Sequence, residues 1–224
     1  MRGRFITFEG GEGSGKSTHA ATLALKLKAL GIPVVLTREP GGSPGAEIIR
    51  HVLLSGAAAP LGPDTEALLF AAARDDHMRV TIRPALDDGQ WVVSDRFLDS
   101  TRAYQGALGR VDERLIRGLE RVTVGDMVPE LTFILDVPAE TGLARAAARR
   151  GKGKADRFEA EDVAFHQTLR QAFLKIAEQE PARCVVIDGT QTSDAVSNEI
   201  WHIVEQRLDP KNFSTPAALE PVPP

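Results

Sequence analysis

The chain contains one cysteine, Cys184, so it can form no internal disulfide. Its apolar neighbours Val185, Val186 and Ile187 mark that thiol as buried, which fits a reducing compartment. Positive charge is not in excess either. With 27 Lys+Arg against 31 Asp+Glu the net charge is −4, so nucleic-acid binding would need a local basic cluster rather than bulk attraction. No apolar run approaches membrane-spanning length, and the first strand-like run starts almost at Met1 with no leader before it. These absences predict a cytoplasmic protein without membrane or nucleic-acid partners. No internal repeat is visible. The 224 residues, 42% hydrophobic and 26% charged, are ordinary for one globular domain and enough for a full core.

Five short apolar runs, at 4–9, 33–37, 91–95, 131–137 and 183–187, alternate with helical stretches. Each is nearly continuously apolar, as expected for strands covered on both faces. Helix signals stand between them: a helix from Lys16 to Leu30 with Leu23, Leu27 and Leu30 on one side; Ser43 or Gly45 before a run to Ser55; Pro63-Asp64 before 65–82; and Ala139-Glu140 before a run to Arg149. This alternation predicts an α/β fold, a five-stranded parallel sheet with helices on both faces. One domain is expected over 1–208. From 209 to 224 the chain carries Pro210, Pro216, Pro221, Pro223 and Pro224, and that tail is expected to be disordered.

The strongest local signal is Gly10-Gly11-Glu12-Gly13-Ser14-Gly15-Lys16-Ser17, which fits G-x-x-x-x-G-K-[ST] between a strand and a helix. Glycines there let successive N–H groups turn inward onto an anion, and the helix start adds unpaired donors and a positive dipole end. A nucleoside-triphosphate site is predicted, with Lys16 reaching the β- and γ-phosphates and the Ser17 hydroxyl on Mg²⁺. A guanine-reading Asn-Lys-x-Asp motif is missing, as is a second lysine early in the loop. Both omissions argue against a nucleotide-dependent switch or partition ATPase.

Parallel sheets gather ligands at the carboxyl ends of their strands. The residues that follow the runs are therefore informative: Arg38-Glu39-Pro40-Gly41-Gly42, Asp95-Arg96-Phe97 and Asp188-Gly189-Thr190. Arg38 and Arg96, with Arg50 on the next helix, can grip one phosphate, although Arg50 also fits a solvated surface charge. Asp95 tips an apolar run like the aspartate that holds Mg²⁺ in nucleotide hydrolases, or pairs locally or caps a helix. Phe70 and Arg74 share a helix face, offering a ring to stack on a base and a fork to bond its carbonyl, while Phe70 after Leu68 and Leu69 also fits a core position. Tyr104 fits either a sugar-pocket wall or the surface. The segment 145–157 concentrates Arg145, Arg149, Arg150, Lys152, Lys154 and Arg157 around Gly151 and Gly153. It reads as a mobile lid over a polyanion or as a solvated basic face.

Taken together, Phe8 to Thr18, Thr37-Arg38-Glu39-Pro40-Gly41-Gly42, Asp95-Arg96-Phe97, Ala103-Tyr104-Gln105-Gly106 and Asp156-Arg157-Phe158-Glu159 resemble the bacterial-type thymidylate kinases, within the P-loop nucleoside monophosphate kinases. The likeness spans about 4–190. It implies an ATP:dTMP phosphotransferase of dTTP synthesis, dependent on Mg²⁺, usually homodimeric, with a short mobile lid near 145–158. It further implies ATP contacts from Gly10, Gly11, Glu12, Gly13, Ser14, Gly15, Lys16, Ser17 and Thr18. Arg38, Arg50 and Arg96 would position the monophosphate, Phe70 would stack on thymine, and Arg74 would bond a base carbonyl. Ser100, Thr101 and Gln105 would line the pocket, with Tyr104 crowding the 2′ position. Lys16, Arg96, Arg150 and the acidic Glu9 would surround the transferred group, with Ser17 and Asp95 on Mg²⁺. Glu12, with Arg150 just before Gly151, resembles members that rely on lid arginines. The lysine- and glycine-rich lid, and Phe97 where histidine or tyrosine is commoner, depart from the family pattern. Another nucleoside monophosphate or small-metabolite kinase on this scaffold is the alternative, and a non-kinase P-loop switch a more distant one.

Overall fold

Phe5–Glu9 (β1), Val34–Arg38 (β2), Trp91–Asp95 (β3), Leu131–Asp136 (β4) and Cys184–Asp188 (β5) form one all-parallel sheet in the order β2-β3-β1-β4-β5. The computed structural model describes residues 2–151, 153, 155 and 157–213. Register pairs Phe8 with Asp95 on one side of β1 and with Phe133 on the other. The chain leaves β1 towards β2 and leaves β4 towards β5, in opposite directions. Crevices open between the carboxyl ends of strands that diverge in this way.

Side chains alternate across the sheet, as the two-residue period requires. Ile6, Phe8, Val93 and Phe133 pack with helices Lys16–Ala29 (α1) and Ser193–Leu208 (α9), while Phe5, Val92 and Ile134 join clusters on the other face. That second layer contains Pro44–Leu54 (α2), Pro63–His77 (α3), Arg83–Asp87 (α4), Leu98–Thr101 (α5), Glu113–Thr123 (α6) and Val163–Gln179 (α8); Ala139–Arg150 (α7) follows β4. Fully burying one such side chain contributes about 1.5–3 kcal/mol, so the clusters are the main source of stability.

Several expectations are corrected. The edge strands β2 and β5 are covered only in part, and Leu36 and Val186 are 46% and 41% exposed, because an edge strand has no neighbour on one side. Leu30 ends α1 at its C-cap and is exposed, so of the three leucines Leu23 and Leu27 belong to the buried stripe, with Ala20 and Ala24 beside them. The helix expected over 65–82 starts at Pro63 and continues past 82. Met78–Ile82 widens into a π-helical turn that leads into α4, which accommodates Pro84, a residue with no N–H to give the previous turn. Order also extends beyond 208. Pro210–Asn212 forms a short 3₁₀ turn, and Phe213 lies edge-on to Trp91 with ring centroids 5.4 Å apart. The remainder of the expected tail, 214–224, lies outside the described residues. Among the described residues no helix is long and apolar enough to cross a membrane.

Candidate active site

The glycine-rich turn wraps the carboxyl end of β1 with Gly10, Gly13 and Gly15 at positive φ, which only glycine adopts freely. A Cβ on Gly10 would meet the Leu135 carbonyl oxygen at 2.5 Å, so the turn lies tight against β4. Lys16 is buried at the first position of α1, and its Nζ donates to the Gly11 carbonyl at 2.7 Å. Burial and the Arg96 guanidinium bring its ammonium down to about 8, against Glu12, Asp95 and Glu9. Ser17 and Thr18 follow on the exposed side of the helix.

Ser17 Oγ donates to Asp95 Oδ2 at the end of β3, so the local partner of this aspartate comes from the phosphate loop rather than from a helix cap. A hydroxyl and a carboxylate oxygen side by side on the cavity wall suit a hard cation whose remaining ligands are phosphate and water. Among the described residues no group of three or more His, Cys, Asp or Glu could hold a metal unaided. The donor set therefore fits Mg²⁺ arriving with a nucleotide.

Arg96 holds φ at 70°, a left-handed conformation unusual for a long side chain, with its N–H donating to the Phe8 carbonyl. That turn aims its guanidinium across the site: Nη1 donates to the Gly10 carbonyl and Ser100 Oγ, and Nη2 pairs with Glu12 at 2.6 Å. Burial works to raise the Glu12 carboxyl, but Arg96 and Lys16 outweigh it and bring it down to about 2. The Tyr104 hydroxyl also donates to Glu12, at 3.1 Å, and its ring lies 5.3 Å from the Arg96 guanidinium. Glu9 is fully buried, accepting from the Phe97 and Ser100 N–H groups on Oε1 and from Ser100 Oγ on Oε2. Burial, and then the neighbouring Asp99, push this carboxyl up to about 7.

A cavity of about 240 Å³ opens from Glu12, Ser17 and Asp95 to Phe70 and Arg74 on α3. Arg38, Arg50, Arg96, Ser100, Thr101, Tyr104 and Gln105 line it as well, so the residues expected on the monophosphate side converge. Phe70 is half-buried on its wall and not part of the hydrophobic core. Tyr104 and Gln105 sit on a second π-helical turn, Arg102–Leu108, continuous with α5. Arg50 is no solvated charge: its Nη1 donates to the Pro40 carbonyl at 2.5 Å. Arg38 is the more exposed of the pair and bonds Glu47 at 2.9 Å.

Arg74 is buried by a partner that sequence reading left unassigned. Its Nε donates to Glu39 at 2.8 Å and its Nη2 to the Phe97 carbonyl and Thr101 Oγ1. His77 bonds the other oxygen of Glu39 and also Thr37 Oγ1. Burial opposes ionisation of Glu39, but Arg74 and His77 keep its carboxyl below the ordinary value. With Nε and Nη2 committed, Nη1 is the edge of Arg74 left for another acceptor. Glu39 was visible as a strand-end residue; its ion pair, 35 residues along the chain, was not.

The described arginines of the basic segment each find an acceptor in the protein, while Arg145 and Arg149 stay exposed. Arg145 donates to the Gly189 carbonyl at 2.8 Å, Arg149 and Arg150 both reach Glu159, and Arg157 pairs with Glu66. Arg149 lines the cavity with Phe158 and Glu159; Arg150 is not among its lining residues and bonds Glu159 at 2.7 Å. Lys152, Lys154 and Asp156 lie outside the described residues. Gly142 on α7 was also missed. A Cβ there would overlap the Glu12 carbonyl oxygen, and a Cβ on Gly13 would come within 2.8 Å of the Gly142 carbonyl carbon.

A family model described as thymidylate kinase matches residues 8–200. The chain is 61% identical over 207 residues to the thymidylate kinase of Bradyrhizobium sp. (strain ORS 278), covering 92% of each chain. It is 59% identical over 218 residues to the thymidylate kinase of Bradyrhizobium diazoefficiens, covering 97% of this chain and 94% of that one. It also resembles the crystal structure of thymidylate kinase from Ehrlichia chaffeensis, with a TM-score of 0.73 at 35% identity, across 91% of this chain and 99% of that one.

Proposed function

The chain belongs to the thymidylate kinase family, and from that premise we propose how its cavity carries out the transfer. As a member it is an ATP-dependent dTMP kinase: ATP and dTMP give ADP and dTDP, a step towards dTTP. The triphosphate lies in the turn Gly10 to Ser17, with Thr18 behind it, its β- and γ-phosphates on backbone N–H groups and Lys16. Ser17 and Asp95 would hold Mg²⁺, which would supply positive charge to offset that of the phosphates. A phosphate oxygen of dTMP attacks the γ-phosphorus, the bond to the β–γ bridging oxygen breaks, and ADP leaves with that oxygen. The nucleophile is already anionic, so no strong base is needed and positioning with charge neutralisation carries the rate.

Arg38, Arg50 and Arg96 position the monophosphate. Phe70 stacks on thymine, and the uncommitted Nη1 of Arg74 bonds a base carbonyl. Ser100, Thr101 and Gln105 complete the wall, and Tyr104 crowds the 2′ position so that deoxyribose is preferred. Glu9, bonded to Ser100, holds the wall from beneath, beside the transferred group. Arg150 follows the transferring phosphoryl, with Arg149 as its neighbour on Glu159; a larger loss of kcat in Arg149→Ala than in Arg150→Ala would reverse that order. The supporting observation is the single cavity shared by Ser17, Asp95, Phe70 and Arg74, with Arg96 bonded to both the phosphate loop and Ser100. We take the protein to work in the cytoplasm as a homodimer, since α2 and α3 expose Ile48, Val52 and Leu68; a sedimenting monomer would overturn the assembly.

The test is a coupled ADP-release assay across dTMP, dUMP, dCMP, dGMP and thymidine. The proposed site predicts the highest kcat/KM for dTMP and no turnover of thymidine, which lacks the acceptor phosphate. Equal turnover of purine and pyrimidine monophosphates would remove the roles given to Phe70 and Arg74.

A further inference from the structure

Glu66 lies one turn before Phe70 on α3 and, at 6% side-chain exposure, is a buried carboxylate outside the phosphate machinery. A buried carboxylate needs a counter-charge. Here it is Arg157, delivered from the segment between α7 and α8. The two residues that follow Arg157 belong to the cavity. The Phe158 ring stands 5.2 Å from Tyr104, edge-on, and 6.3 Å from Phe70, while Glu159 bonds both Arg149 and Arg150. The Arg157 guanidinium itself lies 5.2 Å from the Phe158 ring. One ion pair thus ties the helix that carries Phe70 to the segment that closes the aromatic wall.

Resting on the dTMP site proposed above, we infer that Glu66 and Arg157 are positioning residues for the monophosphate pocket: their pairing sets where Phe158 meets Phe70 and Tyr104. Neither touches the reacting atoms. Their effect is on the fit of the nucleobase, and it belongs to the pair rather than to either residue.

Glu66→Gln, Arg157→Gln and the double variant test this with full-length enzyme and Mg·ATP, reading kcat, KM for dTMP, KM for ATP and thermal unfolding. Each single substitution should raise the KM for dTMP by about tenfold, with the KM for ATP changed less than about twofold. The double variant should be no worse than the weaker single, because both remove one interaction. A purely structural role would move stability and both KM values together. Multiplying effects in the double variant, or an unchanged dTMP KM in Arg157→Gln, would overturn the inference. Should Glu66→Gln fail to fold, the half-buried Arg157 variant decides alone. Phe70→Ala is measured beside them. If it raises the dTMP KM while the pair variants do not, the pair's role alone is wrong; if it too leaves that KM unchanged, the site reading falls and takes the pair's role with it.

Discussion

Gly142 of α7 and Glu12 of the phosphate loop touch backbone to backbone: no side chain, not even a methyl, fits between the Gly142 Cα and the Glu12 carbonyl oxygen. The contact lies where the chain diverges after β1 and β4, and it joins the loop to the helix that ends in Arg149 and Arg150. A glycine inside a helix normally costs about 1 kcal/mol relative to alanine. Here the cost is offset by a close approach that only glycine permits.

Gly142→Ala should therefore do the opposite of a usual helix repair. The added methyl must push the loop away, so KM for ATP should rise and the thermal shift produced by Mg·ATP should shrink. Differential scanning fluorimetry with and without nucleotide reads this directly. A variant more stable than wild type with an unchanged ATP shift would mean that the loop yields freely.

Lys16→Ala should lower kcat by several orders of magnitude with little change in Tm, because the ammonium serves the phosphates more than the fold. Single-turnover assays alongside circular dichroism check both halves. Near-normal turnover would remove Lys16 from the mechanism.

Phe70→Ala should raise the KM for dTMP far more than it lowers stability, since the ring lines the cavity and is half-buried. Base–aromatic stacking is worth about 1–3 kcal/mol by alanine substitution. Loss of stability with an unchanged KM would return Phe70 to a packing role.

Glu39→Gln removes the counter-charge of Arg74 and leaves a guanidinium at 3% exposure without its carboxylate. Breaking a buried pair from one side costs about 3–5 kcal/mol. Urea unfolding should show that loss, together with a higher KM for dTMP as Arg74 shifts. A change below about 1 kcal/mol would mean that Phe97 and Thr101 hold Arg74 alone.

Glu9 links stability to pH. Its carboxyl stands near 7 in the folded protein against 4.5 in the unfolded chain, so the native state holds its proton where the unfolded state has lost it. The resulting stabilisation is present in full below about 4.5 and disappears as pH rises through about 7. In Glu9→Gln, the amide oxygen can still accept from Phe97 and Ser100, and that part of the pH dependence should vanish. Urea midpoints at pH 5 and pH 8 for both proteins measure the difference. Parallel profiles would place the titration elsewhere.

Much of this was legible in linear order. The apolar runs located all five strands to within a residue at every end, because the central strands are buried on both faces and the edge strands keep apolar residues although they are only partly covered. The phosphate loop could be read because its glycines, lysine and serine are consecutive and their spacing is dictated by the anion. Arg38, Asp95 and Arg96 could be read as strand ends. Phe70 could not be resolved between core and pocket, since a half-buried wall and a buried core ask for the same residue type. Glu66 and Gly142 gave no local signal at all, and Glu39 none beyond its place at a strand end, as their meaning lies in partners brought from other elements.

The sequence by itself determined the layered α/β architecture, the phosphate-binding turn and the edge of the sheet where charge gathers, since each depends on neighbours in the chain. Only the tertiary structure decided which charges are paired, which ring faces the cavity and where glycine is obligatory. Those outcomes depend on distances between segments far apart in sequence, and in a low-dielectric interior a few ångströms separate a held cation from an unsatisfied one.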